Sequence, residues 1–300
     1  MLLHNERPID IKPVLCGYIN EAQQMLGPGV PNEKVIHDVR VLMKKSRASI
    51  KLLKTQTDEE SFNREYSAFR DVGRIMSSWR ENSVHRKLLK GLKKRFPELF
   101  SRLIDNEKIN LLSGNKQVLN EPSPEMKRDL EIIIGILHKS AFRIRFQTMN
   151  NLDQKLITGE LEKTFDNVSA CFLKARNYTK NINLHRFRKK TKDFLYQLFF
   201  FRSLDPKAIK NLEKRIEALA QNLGKYNDYA VLIATLDYKY PSGENNSALD
   251  ELIVIIKQEQ DKYLSKIWPT AFRIFRPGKK LAGLPGFKLL AIQPLSQPSP

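Results

Sequence analysis

The chain has 300 residues, 41% of them apolar, so it is long enough to bury a sizeable core. Its 52 lysines and arginines outnumber 33 aspartates and glutamates, which leaves a formal net charge of +19 and favours a polyanionic partner. Two distant cysteines, Cys16 and Cys171, indicate neither a disulfide framework nor a thiolate metal site, and we interpret both as reduced core residues. No apolar run approaches the roughly 20 residues of a membrane span, so no such span is expected. Reduced cysteines are typical of a cytoplasmic protein, which is the location we expect.

Apolar residues recur at three- and four-residue spacing along nearly the whole chain, which predicts helices rather than strands. Glycine and proline interrupt this pattern at 27–31, near Pro97, and at 113–124, 204–206 and 241–246. We predict an all-α protein of about eight helices. It is expected to form two four-helix-bundle-like halves, residues 1–148 and 149–275, related by internal pseudo-twofold duplication. Residues 276–300, which lack acids and are rich in glycine and proline, are predicted to be a poorly ordered basic tail.

The duplication is predicted from a motif that occurs twice. The segment IHDVR at 36–40 is echoed by LHRFR at 184–188, at an offset of 148 residues. A second motif follows each copy, RE at 80–81 and ND at 227–228, so the histidine and the acid are 44 residues apart in one copy and 43 in the other. Two motifs in the same order at nearly the same separation indicate an internal repeat.

Each copy places cations in a row beside an apolar helix face, at 100° per residue. The first cation row consists of His37, Arg40, Lys44, Arg47 and Lys51, with Lys45 beside it. The second cation row consists of His185, Arg188 and Lys192, with Lys189 beside it. A solvated face normally mixes both signs of charge, whereas these rows contain no acid, so an external anion is the simplest explanation. Because Leu195 and Phe199 shorten the second row, we expect the first row to contribute more to binding.

Further cations extend the candidate site. Lys87, Lys90 and Lys94 are spaced to form a third stripe, and Arg80 precedes the acid of the first copy. The two motif histidines are predicted either to donate to a phosphate oxygen or to lie at the border of the core without touching a ligand.

Catalytic and metal-binding signals are weak. His37 is followed by Asp38, as in metal-dependent phosphohydrolases, but none of the five histidines lies three or four positions from another. The sequence shows no glycine-rich phosphate loop, no Ser-His-Asp order and no carboxylate cluster. We therefore predict no enzyme activity, no metal and no cofactor.

The duplicated motifs resemble those of the conserved histidine α-helical domain, or CHAD, family. Its pattern is His-x-x-Arg with basic residues after it, then Arg-Asp or Asn-Asp before valine, all of it repeated. The resemblance covers roughly residues 10–275, although Glu81 replaces the usual aspartate. It implies two helical bundles, a basic channel or groove between them, and binding of inorganic polyphosphate, with association with polyphosphate granules.

Polyphosphate binding also agrees with the residues themselves. Arginines would contact phosphate through two hydrogen bonds each and lysines as point charges, with no need for base-reading or stacking side chains. Binding of a nucleic-acid backbone is the alternative, since the same cations would serve a phosphodiester. A phosphohydrolase acting on polyphosphate is the second alternative.

Overall fold

A computed structural model describes residues 9–27, 29–79, 81–103, 124–147, 152–239 and 247–288, and all regular structure in these ranges is helical. The α-helices are α1 (Ile11–Leu26), α2 (Glu33–Lys51), α3 (Glu59–Ser78), α4 (Glu81–Arg95), α5 (Pro97–Arg102), α6 (Pro124–Phe146), α7 (Gln154–Asn177), α8 (Asn181–Leu198), α9 (Pro206–Lys239) and α10 (Ser247–Phe275). Short 3-10 helices lie between α8 and α9, at Phe199–Phe201, and after α10, at Leu281–Gly283. The all-α prediction is confirmed. None of the described helices is long and apolar enough to cross a bilayer.

The helix count exceeds the eight expected from the sequence. The additional breaks lie at 52–58, 79–80, 147–153 and 178–180, and none of them contains glycine or proline. Side-chain capping marks some of these boundaries instead. The Asp58 side chain accepts a hydrogen bond of 2.8 Å from the Ser61 amide and so starts α3, as Asn32 does for α2. Breaks that depend on capping are harder to read from sequence than breaks at glycine and proline.

Four helices of the first half, α1, α2, α3 and α6, pack in a ring. In this first bundle α2 contacts α1 and α3, and α6 contacts the same two helices from the opposite corner. The core between them contains Ile19, Val39, Phe69 and Leu137, all fully buried. Apolar residues at helical spacing thus fix one side of α2, and its polar side is left for the cation row.

The second bundle is a ring of α7, α8, α9 and α10. Its core is rich in phenylalanine. The Phe165 ring lies 5.6 Å from the rings of Phe194 and Phe275, and Phe187 lies 6.1 Å from Phe275 in an edge-to-face arrangement. These contacts hold α8 by its apolar side, as the first core holds α2.

Among the described helices, the more extensive contacts between the two halves of the chain fall in two places. First, α2 packs directly against α8. Second, α4 and α5 pack on α9 and α10, where Leu89 and Leu92 share a cluster with Leu232 and Leu252. Therefore α4 and α5 belong to the first half of the sequence but pack against helices of the second. In both bundles the histidine motif lies on the second helix of the ring; the internal duplication and its boundaries at residues 148 and 275 stay predictions.

The predicted poorly ordered tail is wrong for residues 276–288. Leu281, Leu284 and Phe287 are buried in the core of the second bundle, and the Phe287 ring lies 5.9 Å from that of Phe201. Gly286 has φ +88, and a Cβ there would come within 2.6 Å of Ile209 Cγ1, so the site requires glycine. Composition predicted disorder because the apolar residues, only three positions apart, were outweighed by glycine and proline. Residues 289–300 lie outside the described residues.

Candidate anion-binding site

The crossing of α2 and α8 brings the two cation rows together. Lys51 Nζ lies 2.6 Å from Asp193 Oδ2, and Gln197 Nε2 donates to the Ala48 carbonyl at 3.0 Å. Residue numbers therefore increase along α2 in the direction in which they decrease along α8, so the two helices are antiparallel at this contact. The two rows meet at the crossing and run outward from it, one along each helix. At 1.5 Å per residue, His37 lies about 16–21 Å and His185 about 12–18 Å along its helix from these two contacts.

Arg40 and Lys51 of the first row contact residues on other helices. Arg40 Nη1 donates to the Gly73 carbonyl at 2.6 Å and to Ser77 Oγ at 2.5 Å, which ties α2 to α3. Lys51 forms the ion pair with Asp193 and lies 5.4 Å from the Tyr66 ring centroid. The sequence places no acid in the row, but the fold brings one from a residue 142 positions away. Lys51 is therefore partly neutralised before any ligand binds.

The other members of the first row differ in exposure. His37 is exposed, while Lys44, Lys45 and Arg47 are half-buried. Lys45 Nζ lies 5.4 Å from the centroid of the Tyr18 ring on α1. Arg47 Nε is buried and has no hydrogen-bond partner among the described residues. The Nε–H group of Arg47 is thus desolvated without a compensating acceptor, which favours uptake of an external anion.

Arg188 of the second row lies against α9. A Cβ on Gly224 would be 3.5 Å from Arg188 Nε and 3.7 Å from Nη2, so the guanidinium packs on the bare backbone of that glycine. Arg188 Nε is buried, again without a hydrogen-bond partner in the described part of the chain. The packing of Arg188 on Gly224 depends on how α8 meets α9 and is visible only in the fold.

Lys192 lies one turn further along α8 and is half-buried. Its Nζ contacts the Tyr196 hydroxyl at 3.4 Å, and no ion pair with a described carboxylate is formed. Burial lowers the pKa of Lys192, and the charge of Arg188 lowers it further, while Glu217 opposes the shift. Burial also raises the pKa of Tyr196 to about 12, so this hydroxyl stays neutral. The protein thus holds two adjacent cations in a partly dehydrated site.

The second motif of the second copy is connected to its histidine. His185 Nδ1 and Asn227 Oδ1 lie 2.7 Å apart, so Nδ1 carries the proton and donates to the amide oxygen. This contact explains why the histidine and the Asn-Asp pair occur together in sequence: they join α8 to α9 beside Arg188. The Nε2 atom of the same ring is then the one available to a ligand or to solvent.

The third stripe lies on α4. Lys87 Nζ is 4.0 Å and Arg86 Nη2 is 3.8 Å from the carboxylate of Glu33, at the start of α2. This places Lys87 one turn from the beginning of the first cation row. Lys90 and Lys94 are exposed. Lys189, beside the second row, is exposed as well, and Arg80 lies outside the described residues.

The chemistry available at the crossing is that of anion binding. Arg47, Arg188 and Lys192 are half-buried cations with no described carboxylate oxygen within 4.0 Å. Within the described ranges, no group of three or more histidine, cysteine, aspartate or glutamate side chains could hold a metal ion. The CHAD domain model matches residues 24–237, more than half of the chain. The chain belongs to the CHAD family.

Within this CHAD chain the match runs from the end of α1 to the end of α9 and includes both histidine motifs. It omits α10, which nevertheless completes the ring of the second bundle. The resemblance seen in the sequence is therefore confirmed at the level of the family. A search of curated proteins found no match.

Proposed function

We propose that this CHAD protein binds inorganic polyphosphate along the two cation rows and catalyses no reaction on it. Family membership associates the chain with polyphosphate-related function. Binding of polyphosphate at the cation rows is supported by Arg47, Arg188 and Lys192, which are half-buried and have no described carboxylate oxygen within 4.0 Å. A charge held in this state costs free energy in the unliganded protein, and a bound phosphate removes the cost.

The shape of the rows suits a linear polyanion. On each helix successive cations are three or four residues apart, about 4.5–6 Å along the axis, and the rows meet where α2 crosses α8. A flexible chain with a charge on every phosphate can follow them across the crossing. Each arginine can offer parallel N–H donors to a phosphate, and each lysine adds a mobile charge.

Nucleic-acid backbone binding remains the alternative for these rows, and the aromatic residues beside them count against it. Lysine ammonium groups lie over the rings of Tyr18, Tyr66 and Tyr196, at 5.4–5.6 Å from the ring centroids. Phe187 and Phe194 are fully buried in the core. Since these rings are occupied or buried, they offer no platform on which bases could stack.

A competition experiment separates polyphosphate from a nucleic-acid backbone. Labelled long-chain polyphosphate is bound to the protein at moderate salt, and duplex DNA, whose base faces are hidden, is added at equal phosphate concentration. We expect unlabelled polyphosphate to displace the label and duplex DNA to displace little of it. Displacement by duplex DNA as effective as by polyphosphate would make the nucleic-acid backbone the better assignment.

The proposal that no reaction occurs has its own test. The protein is incubated with polyphosphate and Mg²⁺ or Mn²⁺, and the chain-length distribution is compared with that of a heat-killed control. We expect no shortening. Shortening that depends on native protein would revive the phosphohydrolase alternative. Cytoplasmic polyphosphate granules are the proposed location, and a fluorescent fusion should colocalise with them.

A further inference from the structure

A groove with apolar and cationic side chains lies on the side of the first bundle away from the cation rows. It encloses about 900 Å³ between α1 and α6, and α6 is the helix diagonally opposite α2 in the ring. The lining residues are Cys16, Asn20 and Gln23 from α1 and His138, Lys139, Ala141, Phe142, Arg143, Arg145 and Phe146 from α6. None of these described lining residues is acidic. The groove is thus electropositive and separate from the site proposed for polyphosphate.

Two phenylalanines on the α6 wall are unusually exposed. Phe142 and Phe146 keep 66% and 67% of their surface accessible, so neither ring contributes to the core. Their ring centroids are 4.7 Å apart at an interplanar angle of 51°, and the Arg145 guanidinium lies 6.0 Å from the Phe146 centroid. Adjacent aromatic rings flanked by cations provide faces on which bases can stack while phosphates are neutralised nearby.

The composition of the walls distinguishes between possible occupants. A groove that receives an amphipathic helix is lined by a row of aliphatic anchors, whereas this one has two rings among amide and cationic side chains. Arg143 is already paired with Glu65, so the available cations are Lys139 and Arg145. Asn20 and Gln23, on the facing wall, carry amides that can hydrogen-bond to base edges.

We propose that the groove between α1 and α6 binds single-stranded nucleic acid, with bases stacked on Phe142 and Phe146 and phosphates held by Lys139 and Arg145. This site is independent of the cation rows, where aromatic faces are covered. Duplex DNA, whose bases are already stacked and paired, does not use it. The protein therefore presents two polyanion surfaces of different selectivity, one without and one with aromatic platforms.

The test compares two probes on aromatic-ring variants of the full chain. Fluorescence anisotropy measures binding of an adenine oligonucleotide of about ten nucleotides and of an abasic strand of the same length. In Phe142→Ala/Phe146→Ala, affinity for the adenine strand should fall at least about tenfold, with little change for the abasic strand or for polyphosphate. Phe142→Tyr/Phe146→Tyr, which keeps both rings, should bind like wild type.

The matched control removes exposed apolar residues elsewhere. Ile182 and Val254, exposed at 70% and 52%, lie on the second bundle, and Ile182→Ala/Val254→Ala should leave both probes unaffected. Circular dichroism establishes that each variant is folded. Unchanged affinity of the double alanine variant for the adenine strand would overturn the proposal and would favour a protein as the binding partner of this groove. Equal weakening of the abasic strand or of polyphosphate would overturn it too, since stacking would then not be the cause.

Discussion

Replacing Arg188 by methionine should weaken polyphosphate binding without destabilising the protein. The guanidinium rests on Gly224 with its Nε buried and unbonded among the described residues, so the free protein bears part of the desolvation cost of that charge. Methionine is unbranched and can fill the same space. We expect the free energy of unfolding to stay unchanged or to rise by up to about 1 kcal/mol, because an unsatisfied donor is removed. Loss of charge-assisted contacts worth about 1.5–3 kcal/mol should weaken polyphosphate binding about ten- to hundredfold.

Arg202→Met provides the matched control, because Arg202 differs in having an internal partner. Its Nε lies 3.0 and 2.9 Å from the two carboxylate oxygens of Glu213, which is 8% exposed. Removing Arg202 leaves that carboxylate without its partner, at a cost of about 1–3 kcal/mol. Urea denaturation at pH 7 gives both unfolding free energies, and titration at fixed salt gives both affinities. The reasoning fails if Arg188→Met is as destabilised as Arg202→Met, or if it binds polyphosphate like wild type.

Three further outcomes are expected. Burial and a neighbouring arginine lower the pKa of Lys192, so this lysine loses its charge at a lower pH than an ordinary lysine, which titrates at about 10.4. As the pH rises, polyphosphate affinity should therefore begin to decrease before a pH of about 10.4, and Lys192→Arg should shift this decrease to higher pH in a titration over pH 7–10. Asp193→Asn should release Lys51, so that affinity rises and the salt dependence steepens by on the order of one phosphate contact; identical salt slopes would mean that Lys51 does not reach the ligand. Phe287→Ala should lower the free energy of unfolding by about 3–5 kcal/mol, whereas a disordered tail would give no change in urea denaturation.

The sign of the pH effect follows from linkage. A lysine whose pKa is lower in the folded than in the unfolded state opposes folding while it is protonated in the native protein. This opposition is fully present below the folded pKa and disappears as the pH rises toward the unfolded value. A bound phosphate favours the charged form, so it raises the pKa of Lys192 and its binding takes up protons at alkaline pH. The free protein should therefore gain stability in the same pH range in which it loses affinity.

Sequence alone was sufficient for the helical class and for the two histidine motifs, because periodicity and short motifs are local properties. It was also sufficient to place Arg188 and Lys192 on one side of α8. The packing of α4 and α5 on the second bundle could not be predicted, since apolar residues such as Leu89 do not indicate which partner they will meet. The order of residues 276–288 could not be predicted for a related reason, because the burial of Phe287 depends on a surface formed by distant residues.

The relative weight of the two rows shows what tertiary contacts add to a charge pattern. By sequence the first row is longer and was expected to dominate. In the fold, Lys51 is paired with Asp193 and Arg40 is bonded to α3, whereas no described carboxylate oxygen lies within 4.0 Å of Arg188 or Lys192. We now expect the second row to contribute at least as much to binding as the first. A single sequence cannot reveal this, because the neutralising acid lies on another helix.

The most direct measurement is the salt dependence of polyphosphate binding in two triple variants, Arg40→Ala/Lys44→Ala/Arg47→Ala and Arg188→Ala/Lys189→Ala/Lys192→Ala. A control triple removes the same charge from exposed lysines at the start of α9, at positions 207, 210 and 214. All three variants should stay helical, since alanine is a good helix former.

Each row variant should bind more weakly, and the slope of log affinity against log salt should decrease in magnitude by about two to three. The reason is that each cation bound to a phosphate releases slightly less than one counterion, and each variant lacks three such cations. The second-row variant should lose at least as much affinity as the first, and the control should keep the wild-type slope. Wild-type slopes in both row variants, or an equal loss in the control, would contradict the placement of polyphosphate on α2 and α8.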